Sequence, residues 1–153
     1  MTEFTGTDAP DRFVGGAADD IAFGGAGNDS LAGSGGGDLL KGEAGSDFID
    51  GGASDDTVDG GADNDTLNGG DGDDVIYGGA GVNRIDGGLG DDTVRTGPNS
   101  DVVLGGDGND DLGAGDGDDS INPGLGDDLV NAGGGNDTIV ASMGADSING
   151  GAG

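Results

Sequence analysis

GGDGDDVIYGGAGVNRID, residues 69–86, is two nonapeptides in one frame. Each opens on a glycine pair and has glycine at its fourth place. Each has an oxygen-bearing side chain at its sixth (Asp74, Asn83) and an aliphatic residue at its eighth (Ile76, Ile85). Followed outward, the frame runs from Gly6 to Asn149 as sixteen repeats with no insertion or deletion. A short period held over a whole chain specifies a solenoid. The remaining residues fit the same frame. GGAG (150–153) supplies positions 1–4 of a further repeat, and MTEFT (1–5) supplies positions 5–9, with Phe4 at the apolar place. The organisation expected is one domain over residues 1–153. Sixteen nonapeptides fill 6–149, and 1–5 and 150–153 are complementary half-repeats.

Position 6 is Asp in fifteen repeats: Asp11, Asp20, Asp29, Asp38, Asp47, Asp56, Asp65, Asp74, Asp92, Asp101, Asp110, Asp119, Asp128, Asp137 and Asp146. Asn83 is the exception. Position 8 is apolar throughout, from Phe13 to Ile148. Glycine fills position 1 in eleven repeats, position 2 in twelve and position 4 in eleven. Glycine at fixed offsets marks backbone that needs positive φ or a close approach of another segment. Asp63 and Asn99, at position 4, are of types that tolerate the left-handed region. Positions 1–6 therefore read as a tight turn. Positions 7–9 read as a short strand, with 8 facing in and 7 and 9 facing out. Nine residues cannot close a flattened turn of coil, but eighteen can. The fold class expected is all-β: a right-handed parallel β-roll solenoid with two nine-residue repeats per turn. Pro123, at a repeat start, is expected only where no ladder N–H is required.

Composition sharpens the reading. Four Lys/Arg face 32 Asp/Glu, for a formal charge of −28, and 41 of 153 residues are glycine. Such a chain repels itself and has little to bury, so it is disordered unless cations neutralise it. The charge argues against nucleic acid and anionic membrane as partners. No stretch is long and apolar enough to span a bilayer, and MTEFTGTDAP lacks the basic and apolar regions of a signal peptide. With no Cys and no His, thiolate and imidazole metal sites and activated serine nucleophiles are absent. No catalysis and no small-molecule substrate are expected.

Stacked at eighteen residues per turn, Asp29 lies one strand spacing, ~4.8 Å, from Asp11 and Asp47. A column of carboxylates so spaced needs cations between its members. Carboxylate and carbonyl oxygens of successive turns suit calcium, which takes about 6–8 oxygen ligands in flexible geometry. Zinc would want His or Cys. The candidate ligands are the fifteen aspartates above and Asn83, whose lost charge should weaken the sites it shares. Pairing each repeat with the one two later gives about fourteen sites within the chain, and more at joints between subunits. EF-hand loops, a rival reading of strings such as Asp116 to Asp119, need helical flanks and a glutamate at position 12. Ice binding would need a flat outward array. Thr57, Thr66, Thr93 and Thr138 fall on both sides and are interrupted by Val75, Arg84 and Val102.

GGAGNDSLA (24–32), GGDGDDVIY (69–77), GGLGDDTVR (87–95) and GGDGNDDLG (105–113) resemble the RTX (hemolysin-type) calcium-binding nonapeptide family, whose motif is GGxGxDxUx with U apolar. The resemblance covers essentially the whole chain. It implies a parallel β-roll with calcium held in the turns by the position-6 Asp and neighbouring carbonyls, and export by type I secretion. GTDAPD, TGPNSD, PGLGDD and ASMGAD depart from it by losing turn glycines. The function expected is a calcium-dependent structural protein, extracellular or at the cell surface, exported without an N-terminal signal peptide. It is expected to partner itself as a head-to-tail homopolymer, because the two half-repeats complete one another. The alternative is a stand-alone or excised calcium-binding module of a secreted protein.

Overall fold

In the computed structural model, residues 1–140 and 142–153 are described. They form a parallel β-solenoid with no helix. Two sheets face each other, one of nine strands and one of eight, and every pairing is parallel. The register is constant: Arg84 stands beside Thr66 on one side and Val102 on the other, eighteen residues away in each direction. Even repeats thus build one sheet and odd repeats the other, as the two-repeat turn requires. The strand Glu3–Thr5 joins the nine-stranded sheet on Ile21 to Phe23, which puts Phe4 beside Ala22 in the position-8 row.

Alternation sorts the side chains. Position 8 points between the sheets, and from Leu31 to Val130 its members are essentially sealed from solvent. A buried Leu, Ile or Val contributes roughly 1.5–3 kcal/mol. The row is one residue wide in each sheet, so the core is a narrow seam. Phe4 and Phe13 stack at one end of it, with ring centroids 5.3 Å apart. At the other end Ile148 is 47% exposed. Of the outward apolar residues, Tyr77 is exposed, whereas Ile21, Phe23, Leu39 and Val75 lie half-buried along the same sheet.

Two readings of the sequence need correction. Nine strands do not end at position 9 but run on into positions 1–3, reaching five or six residues in all, as in Thr66–Asp71 and Val102–Asp107. The turn proper is confined to positions 4–6, because a glycine at position 1 keeps extended backbone and can pair. Position 1 is also an inward row: Gly42, Gly51, Gly60, Gly69, Gly78 and Gly87 are buried. Pro123 lies inside the strand Ser120–Leu125, where a ladder N–H is used by other repeats, such as Gly33 donating to the Asp50 carbonyl. Proline has no N–H to give, and the neighbouring strand Thr138–Ile139 is only two residues long. Among the described residues no helix is long and apolar enough to cross a membrane.

A candidate cation-binding ladder

The turn backbone is set by positive φ at two alternate places. Gly70 and Gly72 have φ of 116° and 136°, and the same pair of positions recurs along the stack. Asp63 and Asn99 take φ of 75° and 98° at position 4, as their types allow. Glu43 does so at position 2, at 76°, which costs an ordinary L-residue about 1–2 kcal/mol. This winding turns the position-6 side chain back toward the seam.

The position-6 residues line up as two internal ladders. In each, one carboxylate oxygen accepts the backbone N–H of the position-6 residue one turn earlier. On the odd edge the sequence runs Asp11, Asp29, Asp47, Asp65, Asn83, Asp101, Asp119 and Asp137, at 2.7–3.0 Å per step. On the even edge it runs from Asp20 to Asp146 at 2.7–3.2 Å. Thr2 extends that edge by donating its N–H to Asp20. Thirteen of the sixteen sequence-selected residues are at most 3% exposed, and Asp11, Asp137 and Asp146, near the ends, are partly buried.

The second oxygen of each carboxylate decides what the ladder is for. Oδ2 of twelve aspartates, from Asp29 to Asp137, is buried with no hydrogen-bond partner. A buried unpartnered carboxylate oxygen is costly, and each column holds a series of them. Burial accordingly pushes nine of these groups up the pH scale. Asp56, Asp65 and Asp92 rise to about 7, and Asp74 and Asp110 to about 6, despite the N–H that each accepts. Asp38, Asp47, Asp101 and Asp119 shift in the same direction for the same reason. Asp20 is the counter-example. The Gly16 N–H, at 2.9 Å, satisfies its Oδ2, and its carboxyl is held below the usual value.

The glycine at position 1 shows where the orphaned oxygens point. A Cβ on Gly60 would stand 2.5 Å from Asp65 Oδ2 and 2.8 Å from the Gly78 carbonyl oxygen. On Gly51 it would stand 2.6 Å from Asp56 Oδ2 and 2.5 Å from the Gly69 carbonyl oxygen. A carboxylate oxygen of one turn and a main-chain oxygen of the next therefore converge beside these glycines, Gly78 excepted, in space that only glycine leaves open. Oxygen donors alone, one of them charged and desolvated, suit a hard cation. Among the described residues no three Asp or Glu side chains gather at one point. Each nonapeptide turn brings a single inward carboxylate, and the oxygen that faces it from the next turn belongs to the main chain.

The family model of the RTX calcium-binding nonapeptide repeat (four copies) matches residues 5–40, 32–67, 59–94, 87–121, 95–130 and 122–153. The chain belongs to the RTX calcium-binding nonapeptide-repeat family. No curated protein matches it. The RTX repeat is a structural calcium-binding fold, and its typical setting is the type I-secreted protein. The orphaned Oδ2 column of this RTX chain fits the ion for which the family is described.

One element of the site escaped the sequence reading. Position 5 forms a second pair of ladders, on the outside and in the opposite sense. Asp55 accepts the N–H of Asp73, Asp73 that of Asp91, and Asp91 that of Asn109, at 2.7–3.0 Å. Asn28, Asn64, Ser100 and Asp118 do the same on the odd edge. The recurrence of Asp, Asn and Ser at position 5 was the available signal.

Proposed function

We propose that this protein is a calcium-dependent structural β-roll whose folding is coupled to calcium binding in the turns. The observation that carries the reading is the column of buried, unpartnered Oδ2 atoms facing main-chain oxygens of the next turn. Calcium would be held by the position-6 aspartates with position-1 carbonyls, and its charge would offset the −28 of the chain. The protein's own residues do the rest. The N–H of one turn fixes each carboxylate, and positive-φ positions aim the carbonyls. An extracellular or cell-surface setting follows from calcium being plentiful outside cells and from the family's export route. Calorimetric titration tests the binding. Several ions per chain should bind at or below about 1 mM calcium, and no heat of binding there overturns the reading.

We propose further that copies of the chain of residues 1–153 stack head to tail. The support is the register at the two ends. Glu3–Thr5 occupies the position-7-to-9 place on Ile21 to Phe23, and Ala152 bridges to Gly134 in the turn stack. The eighteen-residue step, continued into a second copy, sets its Glu3–Thr5 on Thr138–Ile139 and its Arg12–Val14 on Ser147–Asn149. Phe4 would then cover Ile139, and Phe13 would cover the exposed Ile148. Light scattering in calcium should show polymers of the intact chain, and Phe4→Asp should leave folded monomers. Monomers alone from the intact chain would remove this second reading while leaving the first.

A further inference from the structure

Asn83 does more than dilute the charge of the column. Its backbone N–H donates to Asp101 at 2.7 Å, and its Oδ1 accepts the Asp65 N–H at 2.9 Å, so the hydrogen-bond ladder passes through it unbroken. The Asp65 N–H needs an acceptor, which fixes the amide with oxygen on that side and Nδ2 on the other. Nδ2 therefore stands where the other turns carry the orphaned Oδ2, and it donates to the Gly81 carbonyl at 3.4 Å. Asn83 is 1% exposed, yet it leaves no unpartnered oxygen, unlike Asp65 before it and Asp101 after it.

The space beside Gly78 agrees independently. A Cβ there would meet Asn83 Nδ2 at 3.1 Å, Ile85 Cδ1 at 3.1 Å and Thr96 Cα at 3.3 Å. Beside Gly60, one turn earlier on the same edge, the nearest atoms are two oxygens. The difference has two sources. Asn83 supplies a donor in place of an acceptor. The following turn, Thr96 to Asp101, opens on Thr96 and Gly97. Gly97 lacks the positive φ that its counterparts Gly79 and Gly115 have, and Thr96 Cα rather than a carbonyl oxygen faces the gap.

We propose that the turn Gly78–Asn83 takes no cation, its amide N–H doing for Gly81 what an ion does for the carbonyls of other turns. The odd edge is thereby divided into two blocks that share no ligand, Asp29 to Asp65 and Asp101 to Asp137. The even edge has no such break from Asp38 to Asp128. This rests on the calcium reading above. It goes beyond that reading by assigning one turn the role of a neutral spacer that keeps the pitch without an ion.

Native mass spectrometry of the full chain in calcium, with circular dichroism to check folding, tests it by counting ions. Asn83→Ala should keep the wild-type count, and Asp65→Asn should lose at least one ion. An ion lost from Asn83→Ala, or a full count in Asp65→Asn, overturns the proposal. Should Asn83→Ala fail to fold, the double variant Asn83→Asp with Thr96→Gly carries the test. A gain of one ion supports the spacer, and an unchanged count overturns it. A wild-type chain that binds no calcium at all defeats the calcium reading instead, so the two failures are distinct.

Discussion

Asp74 accepts the backbone N–H of Asp56 on Oδ1 at 2.8 Å and keeps Oδ2 buried and unpartnered. One oxygen thus ties two turns together while the other is reserved. Asp74→Ala removes both, and the stranded Asp56 N–H alone costs about 1–3 kcal/mol. Asp73→Ala removes an exposed acceptor from the Asp91 N–H, and water replaces it for under about 1 kcal/mol. Urea denaturation in saturating calcium should rank Asp74→Ala well below Asp73→Ala. Equal losses would mean that the inner ladder carries no special burden.

Gly69 opens its repeat and Gly16 stands second in its own, and the two meet different surroundings in the stack. A Cβ on Gly69 would collide with Asp74 Oδ2 and the Gly87 carbonyl, whereas one on Gly16 would meet nothing within 4 Å. Gly69→Ala should cost about 1–3 kcal/mol as overpacking and weaken calcium binding. Gly16→Ala should be neutral or stabilising by up to about 1 kcal/mol. Thermal melts of the two variants in calcium check the contrast, and matched melting temperatures would contradict it.

Ile76 is sealed between the sheets, and Thr93, beside Val75 in the neighbouring strand, faces outward. Ile76→Asp should cost several kcal/mol, since no cation or hydrogen-bond partner reaches the seam. Thr93→Asp should be mild. Chemical denaturation that finds the two alike would reverse the inside and outside of the strands.

The legible part of this fold was whatever the period fixes. Sixteen repeats in one frame give the eighteen-residue step that pairs Arg84 with Val102, the inward position-8 row and the aspartate columns. Direction was legible where a side chain announces it. Position 1 escaped because glycine looks the same whether it faces a core or a turn, and its inward role shows only in the stack, where Gly60 stands beside Asp65 Oδ2. The position-5 ladder escaped because it depends on which N–H each turn leaves free. Asn83 was legible as a weakened ligand, but the reversal of its amide needed the Asp65 N–H and the Thr96 turn in place. Pro123 was misjudged because a narrow roll tolerates the loss of one ladder bond near its end.

Acid should partly replace calcium. Burial holds Asp56, Asp65 and Asp92 at about 7 and Asp74 and Asp110 at about 6 in the fold, against an ordinary 3.8. A raised carboxyl favours the protonated fold. Its contribution is complete below about pH 4 and is lost as pH rises through 6 to 7. Calcium-stripped protein should therefore gain β structure between pH 7 and 4, and the apparent calcium affinity should rise from pH 5.5 to 8. Far-ultraviolet circular dichroism against pH checks the first. A stripped chain equally disordered across the range would contradict it.

The central claim is that cations at the inner ladder make this acidic chain fold. Circular dichroism at neutral pH, first with excess chelator and then with several millimolar calcium, tests it most directly. The account predicts a disordered spectrum in chelator, a cooperative change to β structure on adding calcium, and a much weaker response to the same concentration of magnesium. The same β spectrum in both conditions would contradict it.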